Sequence, residues 1–370
     1  VSAAVGATTV DANERFARRV ERLIAALRDK QLDALLVTDR ADVRYLSNFS
    51  GSNGTLVVGH EHRVLVTDFR YTEQARAEVR GGFEVVEEGQ DMARALARLV
   101  SGRVAFDEAQ VTVRSHRRLR EAVGEGVELV PVAGLVAALR KRKDEGEVAA
   151  IAAAAELADT ALRRVLEQGV GGRSESELSW ELERAMRELG AEGLAFPPIV
   201  AFAAHAALPH AQPRRDARVE GRGLLLFDWG AKLDGYCSDC TRTFAVGAIG
   251  SDERSVYELV LEAQRAALAE VRVGKSCAEL DRIARTVIEE AGYGDRFGHG
   301  LGHGIGLEVH EEPRLSRAGE GELEGGEVVT IEPGVYLPGR FGVRIEDLVV
   351  VEGDSPRVLS GIDKELTEID

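Results

Sequence analysis

The sequence predicts an α+β protein in two parts: an α/β layered first domain, then a larger domain made of one unit used twice. Three observations carry this. Over the first 130 residues, apolar runs of strand length alternate with stretches of helical spacing, as in a layered α/β fold. Further on, an Ala-rich helix, a second helix and β-type segments follow one another, and that order then recurs. The length of 370 residues suits two domains at roughly 100–200 residues each.

Phe16, Val20, Leu23 and Leu27 recur at helical spacing behind Asp11, with Glu14 completing a capping box. Strands are expected at 34–38, 55–58, 63–67, 83–86 and 103–106, and helices at 71–79, 92–99 and 113–123. Leu135-Val-Ala-Ala-Leu-Arg-Lys-Arg-Lys-Asp-Glu-Gly reads as a polar, charged break. It sets the expected domain limits at 11–140 and 141–370. Beyond it, Ile151, Ala155, Ala158, Leu162 and Val165 share one face of a long helix.

The duplication rests on two capped helices. Ser174-Glu-Ser-Glu177 opens one that stops at Gly190, and Ser276-Cys-Ala-Glu279 opens another that stops at Gly292. Both run 16 residues from Ser to Gly, at an offset of 102 residues. Each follows an Ala-rich helix and a Val-Gly turn (Val170-Gly, Val273-Gly), and each precedes β-type segments carrying histidines. Two such halves bring two sheets together with helices outside and a seam between them.

Composition narrows the partners. Hydrophobic residues make up 44% and charged residues 30%, enough for a sizeable core. Lys plus Arg total 47 against 63 acids, and the net charge of −16 excludes the basic footprint of a nucleic-acid or anionic-membrane partner. No run nears the roughly 18 apolar residues of a membrane span. The first ten residues lack the features of a signal peptide, so a cytoplasmic location is expected. Cys237, Cys240 and Cys277 are too few for a disulfide framework. Cys237 and Cys240, three apart in an apparent strand, point to opposite faces and read as packing residues.

The chemistry concentrates in the second half. Of eight histidines, His205, His210, His299, His303 and His310 fall within 205–310. Asp228 sits in Leu224-Leu-Leu-Phe-Asp-Trp-Gly, Asp239 in Tyr236-Cys-Ser-Asp-Cys-Thr, Glu332 after Val328-Val-Thr-Ile, and Glu346 in Val343-Arg-Ile-Glu-Asp-Leu. Each acid breaks a β-rich apolar run, where carboxylates are disfavoured. One alone reads as a surface or salt-bridged residue; four with histidines between them read as a site. Buried carboxylates are costly without compensating cations, and only Arg242 and Arg344 lie in these segments. A pair of divalent metals supplies the missing charge, activating a water and polarising a carbonyl together. Four carboxylates with one imidazole suit Mn2+, and Co2+ or Zn2+ fit the same set. Phe297-Gly-His-Gly-Leu-Gly-His-Gly-Ile-Gly-Leu-Glu-Val-His310 matches no nucleotide-binding fingerprint. Its glycines permit close backbone approach around the histidines.

Taken together, Asp228-Trp-Gly with Asp239-Cys-Thr-Arg-Thr, His303-Gly-Ile-Gly-Leu-Glu-Val-His310-Glu, Ile331-Glu332-Pro-Gly and Arg344-Ile-Glu346-Asp resemble the pita-bread metallopeptidases. Within that family the likeness is to the Xaa-Pro branch, aminopeptidase P and Xaa-Pro dipeptidase (prolidase). It spans nearly the whole chain, the first domain resembling the creatinase-like N-terminal domain through Tyr45-Leu-Ser-Asn-Phe-Ser-Gly-Ser-Asn-Gly. The resemblance implies an antiparallel sheet with outer helices in the second domain and a homodimer. It implies that Asp228 chelates one metal, Asp239 and Glu346 bridge the pair, and His303 and Glu332 complete the other shell. Glu332 becomes the proton shuttle, while His210 and His310 hold the substrate and steady the tetrahedral intermediate. Arg344 is expected to support a ligand carboxylate and to belong to the substrate pocket. The implied substrate is a peptide with proline second, whose tertiary amide has no N–H for an ordinary peptidase to hold.

One stretch departs from the family pattern. Related sequences carry a Ser-Gly-type turn before the Pro-His pair, whereas here it is Val200-Ala-Phe-Ala-Ala-His205-Ala-Ala-Leu-Pro-His210. His210 is taken as the catalytic histidine and His205 as a rim residue. Tyr45–Gly54 and Leu65–Tyr71 favour aminopeptidase P. Arg314 resembles an arginine that meets a dipeptide's free carboxylate in some prolidases, which favours the dipeptidase. A metal-free creatinase and an inactive interaction module are the competing readings, and both would be expected to lack ligands present here.

Overall fold

In a computed structural model, which describes residues 9–89 and 91–370, the chain divides into two units, Val1–Arg140 and Lys141–Asp370. Among the described residues no helix is long and apolar enough to cross a membrane.

The first unit is built on a six-stranded sheet in the order Glu84–Glu87, Arg63–Thr67, Gly54–Gly59, Ala34–Val37, Gly102–Asp107, Val127–Val132. Ala34–Val37 runs antiparallel to Gly54–Gly59 and parallel to Gly102–Asp107. All four of its residues are buried, as in a strand covered on both faces. The Thr9–Asp29 helix buries Phe16, Val20, Leu23 and Leu27 as their spacing predicts. It begins before Asp11, which therefore does not cap it; the Asp11 side chain lies outside the described residues. Glu14 pairs with Arg18 one turn on.

Three elements add to the sequence reading. Arg40–Ser47 is a helix capped by Asp39, which accepts from Asp42 N–H at 3.0 Å, and ended by Asn48 at φ 64°. Val127–Val132 is a strand that accommodates Pro131 at the edge of the sheet, where one side needs no donor. Leu135–Arg140, expected to be part of a polar break, is a helix instead. Leu135 and Val136 are buried, and the Arg140 guanidinium lies 2.7 Å from the Asp42 carboxylate.

The second unit is duplicated. Each half opens with two helices, Glu145–Glu167 with Glu175–Glu188 and Ser251–Ala269 with Cys277–Glu290. Three antiparallel strands follow in spatial order: Ile199–Phe202, Gly223–Trp229 and Cys240–Val246, then Gly302–Gly304, Val328–Ile331 and Asp347–Val350. Between its second and third strands each half inserts a hairpin, Ala231–Leu233 with Tyr236–Cys237, and Gly334–Leu337 with Phe341–Arg344. Even an isolated bridge repeats, Ser174 with Arg218 and Ser276 with Glu322. The helices pack outside. Leu162, Leu178 and Met186 meet Leu225 and Phe227 in one half, and Val260, Leu280 and Ile288 meet Val329 and Val349 in the other.

The two Ser caps differ in one respect. At Ser174 both halves of the capping box form. At Ser276 the hydroxyl accepts from Glu279 N–H at 3.4 Å, but the Glu279 carboxylate lies 3.0 Å from Lys275 Nζ. An ion pair has taken the reciprocal half of the box.

Candidate metal centre

The duplication positions the acids. Asp228 is in the last turn of pleat of Gly223–Trp229, and Glu332 directly follows Val328–Ile331; these are the second strands of their halves. Asp239 directly precedes Cys240–Val246, and Glu346 directly precedes Asp347–Val350, the third strands. The sequence reading set each acid inside a strand. Three of them lie at strand ends instead, where the chain leaves or rejoins the sheet around the inserted hairpin. The expected strand through both Cys237 and Cys240 is likewise split at Ser238-Asp239. Cys237 packs with Val148 and Ile305, and Cys240 with Phe227 and Phe244, so the thiols serve separate cores. Among the described residues all three cysteines are buried and none forms a disulfide.

His303 joins the acids from the strand Gly302–Gly304. Its glycine neighbours are required sterically, since a Cβ at Gly302 would lie 1.9 Å from Thr330 O and one at Gly304 would lie 2.1 Å from Glu312 O. The carbonyl of Gly304, 3.1 Å from His303 Nδ1, can only accept, so Nδ1 carries a proton. Nε2 then faces carboxylates, 3.3 Å from Glu332 Oε1 and 3.7 Å from Asp239 Oδ2.

Asp239, His303 and Glu346 each offer a ligand atom, all within 4.8 Å of one another, and all three residues are buried. Asp228 Oδ1 and Glu346 Oε1 are buried without a hydrogen-bond partner. Orphaned oxygens of this kind need an ion or water. Burial, compounded by the charge of Glu346, pushes the Asp239 carboxyl far above the ordinary range. Burial and the charges of Glu332 and Asp228 do the same to Glu346, and burial raises Asp228 against the opposing pull of Arg344. Glu332 goes the other way: burial would raise it, but the hydrogen bond and charge of His303 hold it down at about 2. A cluster in which acids hold protons for want of positive charge fits a divalent cation.

Arg344 supplies the cation that the chain itself contributes. Its Nη2 lies 2.6 Å from Asp228 Oδ2, Nε donates to Thr241 Oγ1 at 3.0 Å, and Nη1 donates to Tyr336 OH at 2.9 Å and to Pro209 O at 3.2 Å. It belongs to the inserted hairpin, and the carboxylate it supports is that of Asp228. Glu346 is served by Thr241, whose hydroxyl donates to Oε2 at 2.7 Å. Arg242 donates to the Glu346 carbonyl and lies 2.8 Å from Asp347.

The remaining histidines lie around this cluster. The His310 ring centroid is 4.4 Å from that of His303, and burial, with the charge of His303, lowers its pKa. His210 is exposed, and its charge bears on both Asp228 and His310. Arg314 stands opposite His303 on the neighbouring strand with its side chain exposed. His205, expected at a pocket rim, is largely buried against Glu175 instead. His299 Nε2 meets Tyr336 OH at 2.9 Å. The places of Tyr336 and Glu175 were not read from the sequence. A tyrosine in a strand and a glutamate in a first helical turn break no local rule.

Comparison with known proteins bears on this geometry. Residues 149–353 match the model of metallopeptidase family M24, and residues 19–142 match the creatinase/prolidase N-terminal domain. An Xaa-Pro dipeptidase of Pyrococcus horikoshii is 35% identical over 94% of this chain and 98% of its own length. A solved Xaa-Pro dipeptidase from Bacillus anthracis superposes with a TM-score of 0.92 at 37% identity, covering 96% of this chain and 100% of that one. An X-Pro aminopeptidase from Thermotoga maritima gives 0.87 at 37% identity, covering 95% and 100%. With the buried acid–histidine cluster, these likenesses make the chain a member of the M24 metallopeptidase family, a metal-dependent hydrolase with the pita-bread fold behind a creatinase-type N-terminal domain.

Proposed function

We propose that this metallopeptidase cleaves the bond between an N-terminal residue and a following proline, an Xaa-Pro aminopeptidase activity using two divalent cations, Mn2+ foremost. The convergence of buried Asp228, Asp239, Glu346 and His303 with half-buried Glu332 carries the reading, because divalent cations balance that much like charge. Asp228, Asp239, His303, Glu332 and Glu346 would hold the ions. When bound, such a pair supplies an acidified water and a Lewis acid for the scissile carbonyl.

The chain's own groups do the rest. Glu332, between His303 Nε2 and the Thr330 hydroxyl at 3.2 Å, is placed to accept a proton from the attacking water and pass it to the proline nitrogen. His310, whose pKa burial lowers, is neutral near pH 7 and donates an N–H to the developing oxyanion. His210 holds the substrate from the loop that follows Ala203–Ala207, and Arg344 keeps Asp228 in place. A cytoplasmic homodimer with domains 11–140 and 141–370 belongs to the same proposal. Cysteines outside disulfides suit a reducing compartment, and the spans of the two matching family models suit those limits.

A second reading, restriction to dipeptides, is favoured by Arg314, an exposed cation across from His303 that can take a free carboxylate. The deciding experiment assays the Mn2+-, Co2+- or Zn2+-loaded protein on Xaa-Pro and Xaa-Pro-Xaa peptides. Turnover of both supports the aminopeptidase, and turnover of the dipeptide alone replaces it with the dipeptidase. No hydrolysis of either, with any of the metals, sinks the Xaa-Pro reading.

A further inference from the structure

The carboxylate of Glu175 gathers three points of one segment. Phe202 N–H donates to Oε1 at 2.9 Å, and Arg214 N–H donates to Oε2 at 3.0 Å. Between them in sequence, His205 Nδ1 lies 2.9 and 2.8 Å from the two oxygens. A carboxylate only accepts, so Nδ1 carries a proton toward it. Glu175 is fully buried in the first turn of its helix, where the helix dipole favours a negative charge. The start, middle and end of segment 202–214 thus converge on one side chain.

That segment carries His210 to the acid cluster. Arg344 reaches the Pro209 carbonyl at 3.2 Å, and the charge of His210 bears on Asp228 and His310. At its beginning Ala203 has φ 51°, a left-handed conformation that an L-residue holds only where its surroundings over-determine it. With His205 removed, Glu175 would keep its two amide donors at the ends. The middle of the segment, which leads to His210, would lose its tie to Glu175 and keep only the Arg344 contact at Pro209 and its apolar packing.

We propose that His205 is a positioning residue: its clamp on Glu175 sets where the segment presents His210 to the substrate. The proposal rests on the assignment of His210 to the substrate pocket. The experiment measures kcat and KM on an Xaa-Pro peptide, and calorimetric Mn2+ affinity, for H205A, H205N, H205Q and H210A beside the parent. The Asn amide N–H can stand where Nδ1–H stands, whereas Gln places its amide one methylene further out. H205A is expected to lose on the order of ten- to a hundred-fold in kcat/KM, as small misplacements of substrate-holding groups do. Its Mn2+ affinity stays within about two-fold of the parent, and H205N recovers most of the loss while H205Q does not.

Parent-like kinetics in H205A alongside an impaired H210A overturn the inference alone. So does a loss of Mn2+ affinity in step with activity, which marks a merely structural role. If H205A does not fold, equal activity in H205N and H205Q overturns the clamp, and superiority of H205N supports it. Parent-like kinetics in H210A remove the site reading itself, and the inference with it.

Discussion

Arg344 Nη2 lies 2.6 Å from Asp228 Oδ2 with both side chains buried, and the same guanidinium also reaches Thr241, Tyr336 and the Pro209 carbonyl. One cation therefore joins the acid cluster to the segment that carries His210. Replacing Arg344 by Met leaves Asp228 as a buried, unpaired carboxylate. The metal-free variant is expected to lose about 3–5 kcal/mol of stability, measured by urea unfolding. A loss under about 1 kcal/mol would show that Asp228 finds another partner. Arg344→Lys keeps the charge but not the fork, and should recover only part of the loss.

Metal binding should release protons. Asp239 and Glu346 are pushed up by burial and by their like-charged neighbours, so a cation has to displace protons from them. Affinity for Mn2+ then rises with pH above the ordinary carboxylate range, and the binding heat depends on the ionisation heat of the buffer. A flat affinity with buffer-independent heat contradicts this. Asp239→Ala should lose metal and turnover together.

Asp159 gives stability a slope on the acid side. Burial raises its carboxyl from 3.8 to about 6, while its Oδ2 accepts from Gly361 N–H at 2.5 Å. Below about pH 4 both folded and unfolded chains hold this proton; above it the unfolded chain releases the proton first. This contribution is therefore fully present below the unfolded pKa and is lost as pH rises through about 6. The change is on the order of 3 kcal/mol. Asp159→Asn should flatten that slope in urea midpoints taken from pH 4 to 7, and an unchanged slope would exclude Asp159 as its source.

Ala203 predicts a stabilising substitution. At φ 51° a glycine is free of the Cβ penalty, in a stretch where resembling sequences carry a Ser-Gly turn. Ala203→Gly should gain roughly 1 kcal/mol, seen as a higher thermal midpoint of the metal-free protein. A lower midpoint would mean that the Ala203 methyl contributes more packing than the backbone strain costs.

What could be read from the sequence follows from which residues break local rules. Asp228, Asp239, Glu332 and Glu346 stood out because an acid in an apolar β run demands explanation. The structure sets Asp239, Glu332 and Glu346 around His303, with Asp228, tied to Arg344, close enough for its charge to bear on Asp239. The paired Ser-to-Gly helices disclosed the duplication for a similar reason, since caps and stops are local chemistry. Glu175, Tyr336 and Thr241 act through partners brought close only by the fold, and each is an ordinary occupant of its own element. The Arg40–Ser47 helix was too short for periodicity to register, and Leu135–Arg140 was masked by the basic run that follows it.

The halves of the second unit divide the acids between them, Asp228 and Asp239 from one, Glu332 and Glu346 with His303 from the other. An ion held jointly by Asp239 and Glu346 would therefore be a rivet across a joint between two self-similar pieces, owned by neither. Its loss would remove the bond that Asp239 and Glu346 share across the seam, so the chain should begin to open there and not at a loop. Fragments made by cutting before the Ser251–Ala269 helix would then rejoin more tightly as free divalent metal rises, turning a catalytic cofactor into a measure of assembly.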